Sequence, residues 1–269
     1  MKLTLRKYFF IVRYGICDLT VVPLRAEPSD KSEMTSQLVF GETFEIITKQ
    51  KQWVKIRCTF DDYQGWVDEK QFQPLTQTET EQLLRESLHV CDSIIAHAKS
   101  NFREIQLVLG STLPHFKQGK FSINNETFET VSPVVTPSMN GDDTSGAEKF
   151  TLKYLHTPYL WGGRTPFGID CSGFTQMVMK MLGHQLKRDA YQQAEQGVIV
   201  NFIDEARTGD LAFFQNDDGK ITHTGIILAN GKIIHASGKV RIDAIDHFGI
   251  FNDEKKAYTH HLRVIKRMI

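Results

Sequence analysis

A cysteine in a glycine-rich stretch is the first place in this 269-residue chain where chemistry is expected. Residues 158–174 read PYLWGGRTPFGIDCSGF, a composition that suits neither a regular helix nor an ordinary strand. Glycine lets the backbone approach another group closely, and a cysteine thiolate is a nucleophile. Cys171 stands where this loop ends and the run CSGFTQMVMKMLG begins, in which Phe174, Val178, Met181 and Leu182 are spaced to form one apolar face. That spacing predicts a buried helix with Cys171 in its first turn, where free backbone N–H groups and the helix dipole favour the thiolate. Asp170, just before it, is the expected N-cap residue.

A nucleophilic cysteine needs a base to take its proton and a polar group to orient that base. Among the 10 histidines, His223 and His235 lie in adjacent apolar segments, THTGIIL and KIIHASG, around the turn ANGK. A strict two-residue turn at Asn230 and Gly231 pairs Ile226 with His235 and sends the two histidines to opposite faces. A three-residue connection or a bulge pairs Gly225 with His235 and makes the histidines diagonal neighbours on one face. The nucleophile-and-base reading therefore requires the longer connection. Cys17, Cys58 and Cys91 have no polar or glycine-rich setting and read as structural. His89, His97, His115, His260 and His261 read the same way, because no cysteine-bearing loop stands beside them.

The elements that must position these residues follow from the rest of the pattern. Between Tyr14 and Phe72, short apolar runs alternate with turn formers, which predicts a small β-barrel closed by the GWV segment, Gly65 to Val67. A Thr/Glu-rich start at TQTETEQLLRES predicts a short capped helix, and SIIAHAK, REIQLVLGSTL, GKFSI and ETFETVSPVV predict a second small β unit. TPSMNGDDTSGAEKF reads as a linker. Beyond it, helical patterns precede a strand series, an α+β arrangement. The expected divisions are 1–73, 74–140 and 141–269.

Charge and cysteine usage exclude several classes. With 32 basic and 32 acidic residues the net charge is zero, so no global footprint for nucleic acid or an anionic membrane exists. The four cysteines form no CxxC pair, which argues against a disulfide framework or zinc site and fits a reducing compartment. The apolar run at residues 8–12 is interrupted by Arg13, too short for a signal-peptide core, and no window approaches a bilayer span. The expectation is a cytoplasmic protein.

The ordered series PYLWGG, GIDCSGF, RDAYQQAEQG, GDLAFF, THTGIIL and KIIHASG resembles the NlpC-type family of bacterial cell-wall cysteine peptidases, over roughly Lys149 to Val264. PLRAEPSDKSEMTSQLVFGE and YQGWV resemble the first bacterial SH3-like barrel of the subgroup that cleaves γ-D-glutamyl-L-diamino-acid bonds, and LVLGSTLP resembles the barrel that follows it there. The resemblance implies an α+β fold in which a papain-like cysteine peptidase domain is preceded by two small SH3-like β-barrels. It implies Cys171 as nucleophile, His223 as general base and His235 as the orienting third member. Tyr159 would help stabilise the oxyanion, and Asp170 and Ser172 would line the pocket for the γ-D-glutamyl unit. Glu33 would meet the free ammonium of an N-terminal L-alanine, with Tyr63 on the same wall. Ala190 and Tyr191 depart from the family, whose members often carry small hydroxyl residues after Arg-Asp.

The implied activity is hydrolysis of the γ-D-glutamyl-diamino-acid bond in murein peptides, releasing L-Ala-γ-D-Glu for recycling. It needs no metal or organic cofactor, and the implied partner is the murein peptide, with no nucleic acid and no membrane. The diamino acid and the oligomeric state are not assigned by the sequence. Two rival readings keep the fold: an endopeptidase on intact peptidoglycan using the barrels as wall-binding modules, and a catalytically silent wall-peptide receptor. A transferase running through the same acyl-enzyme is a third.

Overall fold

The computed structural model describes residues 13–138 and 144–268. The apolar run at residues 8–12 and residues 139–143 of the expected linker lie outside the described residues. No helix among the described residues is long and apolar enough to cross a membrane.

Alternation builds the front of the chain. In Val21–Arg25 every second side chain is buried, as a strand with one covered face requires. Seven antiparallel strands form one sheet in the order Met34–Val39, Val21–Arg25, Gln64–Asp68, Trp53–Cys58, Thr43–Gln50, Tyr14–Ile16 and Gln73–Leu75. The GWV segment links its two halves: Gln64–Asp68 pairs along Trp53–Cys58 and reaches Val21–Arg25 through Trp66 and Arg25. Val22, Leu24, Leu38, Phe44, Val54, Ile56 and Val67 fill its interior. The next unit opens with the helix Gln77–Arg85, whose Thr76 and Glu79 cap one another reciprocally. Its four-stranded sheet runs Glu104–Val108, Ile95–Lys99, Glu126–Glu129, Lys120–Ile123. The two β units share apolar packing, because Phe40 of the first stands edge-on to Phe121 and Phe128 of the second.

The third part is α+β, as expected. Its helix Cys171–Met181 packs on a sheet ordered Val198–Val200, Ala257–Arg267, Leu211–Gln215, Ile221–Leu228, Lys232–Ser237, Lys239–Ile245, Gly249–Asn252. Ala257–Arg267 also pairs with Gly249–Asn252, which closes six of these strands into a barrel. One face of the sheet, with Leu211, Phe213, Ile226, Ile234, Ala236 and Val240, packs with Phe174, Met177 and Val178 of the helix. Alternate residues, Ala212, Phe214, Ile227, Ile233, Ile245 and Ile250, form a separate cluster on the face that closure turns inward.

The helix is buried as expected, and beyond its apolar face as well. Spacing predicts a single apolar face, yet every residue of Cys171–Met181 is buried. The polar side is covered by the first barrel. Gln176 donates to Asp61 at 2.9 Å, and Lys180 donates to Glu42 at 2.9 Å. Arg164, on the glycine-rich loop, makes a two-pronged ion pair with the same Glu42 at 2.7 and 2.9 Å. All three groups are buried, so the catalytic part has two cations whose carboxylate comes from the barrel. Burial pushes the Glu42 carboxyl up, but the charges of Arg164 and Lys180 outweigh it and hold it at about 2.

The folded-state value lies below the ordinary 4.5, so the stability from Glu42 is fully present above that pH and is lost as pH falls towards about 2. Glu42→Gln is expected to destabilise the protein by about 3 to 5 kcal/mol at neutral pH, since it strands two buried cations. Urea denaturation at pH 7 and at pH 3 checks both points: the gap between wild type and variant should shrink at the lower pH. An equal gap at the two pH values would contradict the assignment.

Candidate active site

The loop before Cys171 is held by close backbone approach. Gly162 has φ +75° and faces the Met34 carbonyl of the first barrel so closely that a Cβ would lie 2.3 Å from its oxygen. Asp170 then caps the helix as expected, accepting from the Gly173 N–H at 2.6 Å. Its second oxygen accepts from the Gly162 N–H at 2.8 Å. Arg188, fully buried, forks onto both Asp170 oxygens at 3.1 and 2.6 Å, and reaches Ser172 Oγ at 2.9 Å and Ser36 Oγ of the barrel at 2.9 Å. Asp170 and Ser172 are thus held in an ion-paired network beside the nucleophile, and the barrel supplies one of its anchors.

Cys171 is buried in the first turn of the helix, and backbone N–H groups of Thr224 and Ser172 meet its sulfur. Burial, with the Asp170 carboxylate, nevertheless pushes the thiol up to about 12, against the small pull of those N–H groups and of Arg188. The expectation of a resting thiolate is therefore reversed: desolvation outweighs the helix terminus here. Tyr159 is half-buried on the loop, anchored by its backbone N–H to the Gly238 carbonyl at 2.9 Å. Burial, Cys171 and Asp170 push its phenol up to about 12, so it remains a hydrogen-bond donor.

The histidines meet through the longer connection. Leu228 pairs with Lys232 and Gly225 with His235, leaving residues 229–231 as a three-residue loop. Gly225 has room for no side chain, since a Cβ there would lie 2.8 Å from that of His235. His223 and His235 consequently share a face, and His223 Nε2 lies 2.8 Å from His235 Nδ1. Burial, reinforced by His235 and His260, pushes His223 well below its ordinary value, so its imidazole is neutral at rest. Behind them, His235 Nε2 lies 2.9 Å from Asp243 Oδ2, and Arg241 pairs with the same carboxylate at 2.7 and 2.9 Å.

Two neighbours escaped the sequence reading. His260, read there as structural and unconnected, stacks on His223 with ring centroids 4.1 Å apart and stands edge-on to His235 at 5.5 Å. Burial and His235 push it down to about 4, so it is a neutral wall to the base at physiological pH. It arrives because closure of the sheet pairs His260 with Ile250, a contact that no local pattern announces. Asp243 was missed although a signal existed: in VRIDAID the alternate residues Arg241, Asp243 and Ile245 share a face, and charge on a strand beside a histidine strand asks for a partner. Nitrogens of His223, His235 and His260 lie within 4.8 Å of one another, a metal-ligating donor set by type. Both nitrogens of His235 are already bonded, however, so the trio does not form an open metal site.

Glu33 and Tyr63 come from the barrel. Glu33 is exposed and accepts from the Trp161 indole N–H at 2.5 Å, which ties it to the loop leading to Cys171. Tyr63 is half-buried beside Arg188 and Asp189, its hydroxyl bonded to Thr35 and pushed up by burial. Trp161 and Phe167 of the same loop are 63% and 56% exposed. A cavity of about 280 Å³ lies elsewhere, behind the helix, lined by Glu42, Phe60, Leu113 and Lys180, and does not include Cys171.

Two parts of the chain match known families. The NlpC/P60 family matches residues 156–262, and the bacterial dipeptidyl-peptidase Sh3 domain matches residues 24–72. A gamma-D-glutamyl-L-lysine dipeptidyl-peptidase of Bacillus subtilis (strain 168) is 29% identical over 215 residues, covering 75% of this chain and 71% of the relative. The protein of that name from Bacillus cereus is 25% identical over 241 residues, covering 77% and 68%. The crystal structure of an NlpC/P60 family protein from Bacillus cereus superposes with a TM-score of 0.80 at 19% identity, covering 94% of this chain and 99% of that one, which establishes the likeness of fold.

A neutral resting thiol has a direct signature. Alkylation of Cys171 by iodoacetamide in the substrate-free protein should still be accelerating above about pH 8.5, the ordinary cysteine value. A rate that levels off below about pH 7 would reveal a preformed thiolate and contradict the dominance of burial.

Proposed function

We propose that this chain, which belongs through residues 156–262 to the NlpC/P60 family and is a cysteine peptidase, hydrolyses the γ-D-glutamyl-diamino-acid bond of murein peptides that carry a free N-terminal L-alanine. The product is L-Ala-γ-D-Glu, and the role is recycling of free murein peptides in the cytoplasm. The observation that carries the reading is the Trp161–Glu33 hydrogen bond: it ties an exposed carboxylate of the barrel to the loop that leads to the nucleophile. A substrate ammonium bound at Glu33 sets how far the peptide reaches toward Cys171. The names of the Bacillus relatives support the same bond.

In this mechanism the Cys171 thiol gives its proton to His223 as the sulfur attacks the γ-carbonyl carbon of D-glutamate. Negative charge develops on the carbonyl oxygen, where the Cys171 backbone N–H and the Tyr159 hydroxyl donate to it. Asp170 and Ser172, held by Arg188, face the glutamyl unit. The tetrahedral adduct collapses as His223 passes its proton to the departing amine of the diamino acid, leaving a thioester. Water then attacks the thioester with His223 as base, and the sulfur leaves with the proton returned. His235 keeps the base in line throughout.

The test offers L-Ala-γ-D-Glu-L-Lys, its N-acetylated form and intact sacculi to wild type, Cys171→Ala and Glu33→Gln, with products read by mass spectrometry. Wild type should release L-Ala-γ-D-Glu from the free peptide, and Cys171→Ala should release none. Acetylation should lower kcat/KM by about tenfold to a hundredfold, and Glu33→Gln should erase most of that preference. Equal cleavage of free and acetylated peptide by wild type would remove Glu33 from the reading. Cleavage of sacculi without cleavage of the free peptide would move the substrate to the intact wall.

A further inference from the structure

The base is held by His235, but His235 is itself held by a carboxylate that the cysteine-histidine-histidine set leaves out. Lys232–Ser237 and Lys239–Ile245 pair so that His235 faces Arg241 and Ile233 faces Asp243. His235 and Asp243 are therefore diagonal neighbours on the inward face, and the ring nitrogen and carboxylate oxygen stand 2.9 Å apart, both groups buried. His223 joins the same face through Gly225, paired with His235. The result is one line of hydrogen bonds from strand to strand: Asp243, His235, His223.

We propose that Asp243 is a positioning residue of this peptidase, fixing through His235 the tautomer in which His223 Nδ1 keeps a free lone pair for the Cys171 proton.

Each proton along that line has one place to sit. Burial pushes the Asp243 carboxyl up, but bonds from His235 and Arg241 outweigh it and hold it below its ordinary value, so the group is ionised and only accepts. The proton between Asp243 and His235 therefore sits on His235 Nε2. With Arg241 paired to the same carboxylate, we keep one proton on His235, at Nε2, which leaves its Nδ1 as an acceptor. The 2.8 Å contact to His223 Nε2 needs a donor, and only His223 Nε2–H supplies one. That leaves Nδ1 of His223 without hydrogen, on a residue adjacent to Thr224, whose backbone N–H meets the Cys171 sulfur. When the thiol proton moves to Nδ1, both other protons stay where they are, and Asp243 remains ionised.

Asp243→Asn discriminates this role from simple support. The hydrogen bond from Arg241 to Asp243 runs from Nη2 to Oδ1, the oxygen that does not face His235, and Arg241 has only donors to offer, so the amide oxygen takes the Oδ1 position and the NH₂ takes the Oδ2 position facing His235 Nε2. His235 must then accept at Nε2 and carry its proton on Nδ1, which hands a donor to His223 Nε2 and forces the His223 proton onto Nδ1. The base loses its lone pair. With ¹⁵N-labelled histidine, substrate-free wild type should show His223 and His235 both as Nε2–H tautomers, and Asp243→Asn should show both as Nδ1–H. Its kcat should fall about a hundredfold or more with KM little changed. Asp243→Ala imposes no donor on His235 and should lose less than the asparagine variant, an order that loss of packing or of charge alone does not produce. The spectrum requires no substrate, so it stands apart from the choice of scissile bond. Wild-type His235 protonated at Nδ1, or an asparagine variant with wild-type tautomers and kcat, would overturn the proposal. If the asparagine variant does not fold, the wild-type spectrum decides.

Discussion

A cation removed from water has to find an anion, and in this molecule the anion is on another part of the chain. Arg164 and Lys180 belong to the loop and helix that present Cys171, and both converge on Glu42 of the first barrel. In the low-dielectric interior an unpaired ammonium or guanidinium costs several kcal/mol, so the catalytic part is not finished until the barrel is docked. Arg188 extends the same logic to the nucleophile. It spans Ser36 of the barrel and the Asp170 cap, so the first turn of the helix is registered against a neighbouring unit rather than by the helix alone. The barrel is in this sense part of the active site, whatever it contributes to substrate choice.

The same burial sets the electrostatic character of the site. A thiol held protonated and an imidazole held neutral store no charge while the site is idle. In the proposed reaction, separating that charge calls for donors to the oxygen that gains negative density as the sulfur attacks, the part given there to Tyr159 and the backbone N–H of Cys171. A buried base has a second need: its ring must be held at a fixed angle without help from water. Two contacts do this, the 2.8 Å bond to His235 and the stacked face of His260.

Local signals carried much of this picture. The Thr76 and Glu79 capping box, the barrel strands and the placement of Asp170 as cap are all written in short spacings. The hairpin register followed from a chemical demand: if His223 and His235 were to meet, the turn had to be a residue longer than Asn-Gly alone, and it is. What stayed hidden depends on closure and docking. A helix read by periodicity is assumed to have a wet side, and nothing near Gln176 or Lys180 says that a barrel more than a hundred residues earlier will cover them. His260 enters through a strand pairing that exists only once the sheet closes on itself. The bond of Trp161 to Glu33 spans two units and has no footprint in the loop's own sequence.

Closure of the sheet has a consequence outside catalysis. An open seven-stranded sheet would leave two rows of unsatisfied backbone groups, templates on which another extended chain could stack. Here the strand Ala257–Arg267 is gripped along one flank by Leu211–Gln215 and along the other by Gly249–Asn252 and Val198–Val200. Among the described strands, Val198–Val200 stands at the end of that sheet and is three residues in length. So short a ledge gives a misfolded neighbour little purchase, and the histidine-bearing hairpin is shielded from the edge-to-edge association that leads to aggregates.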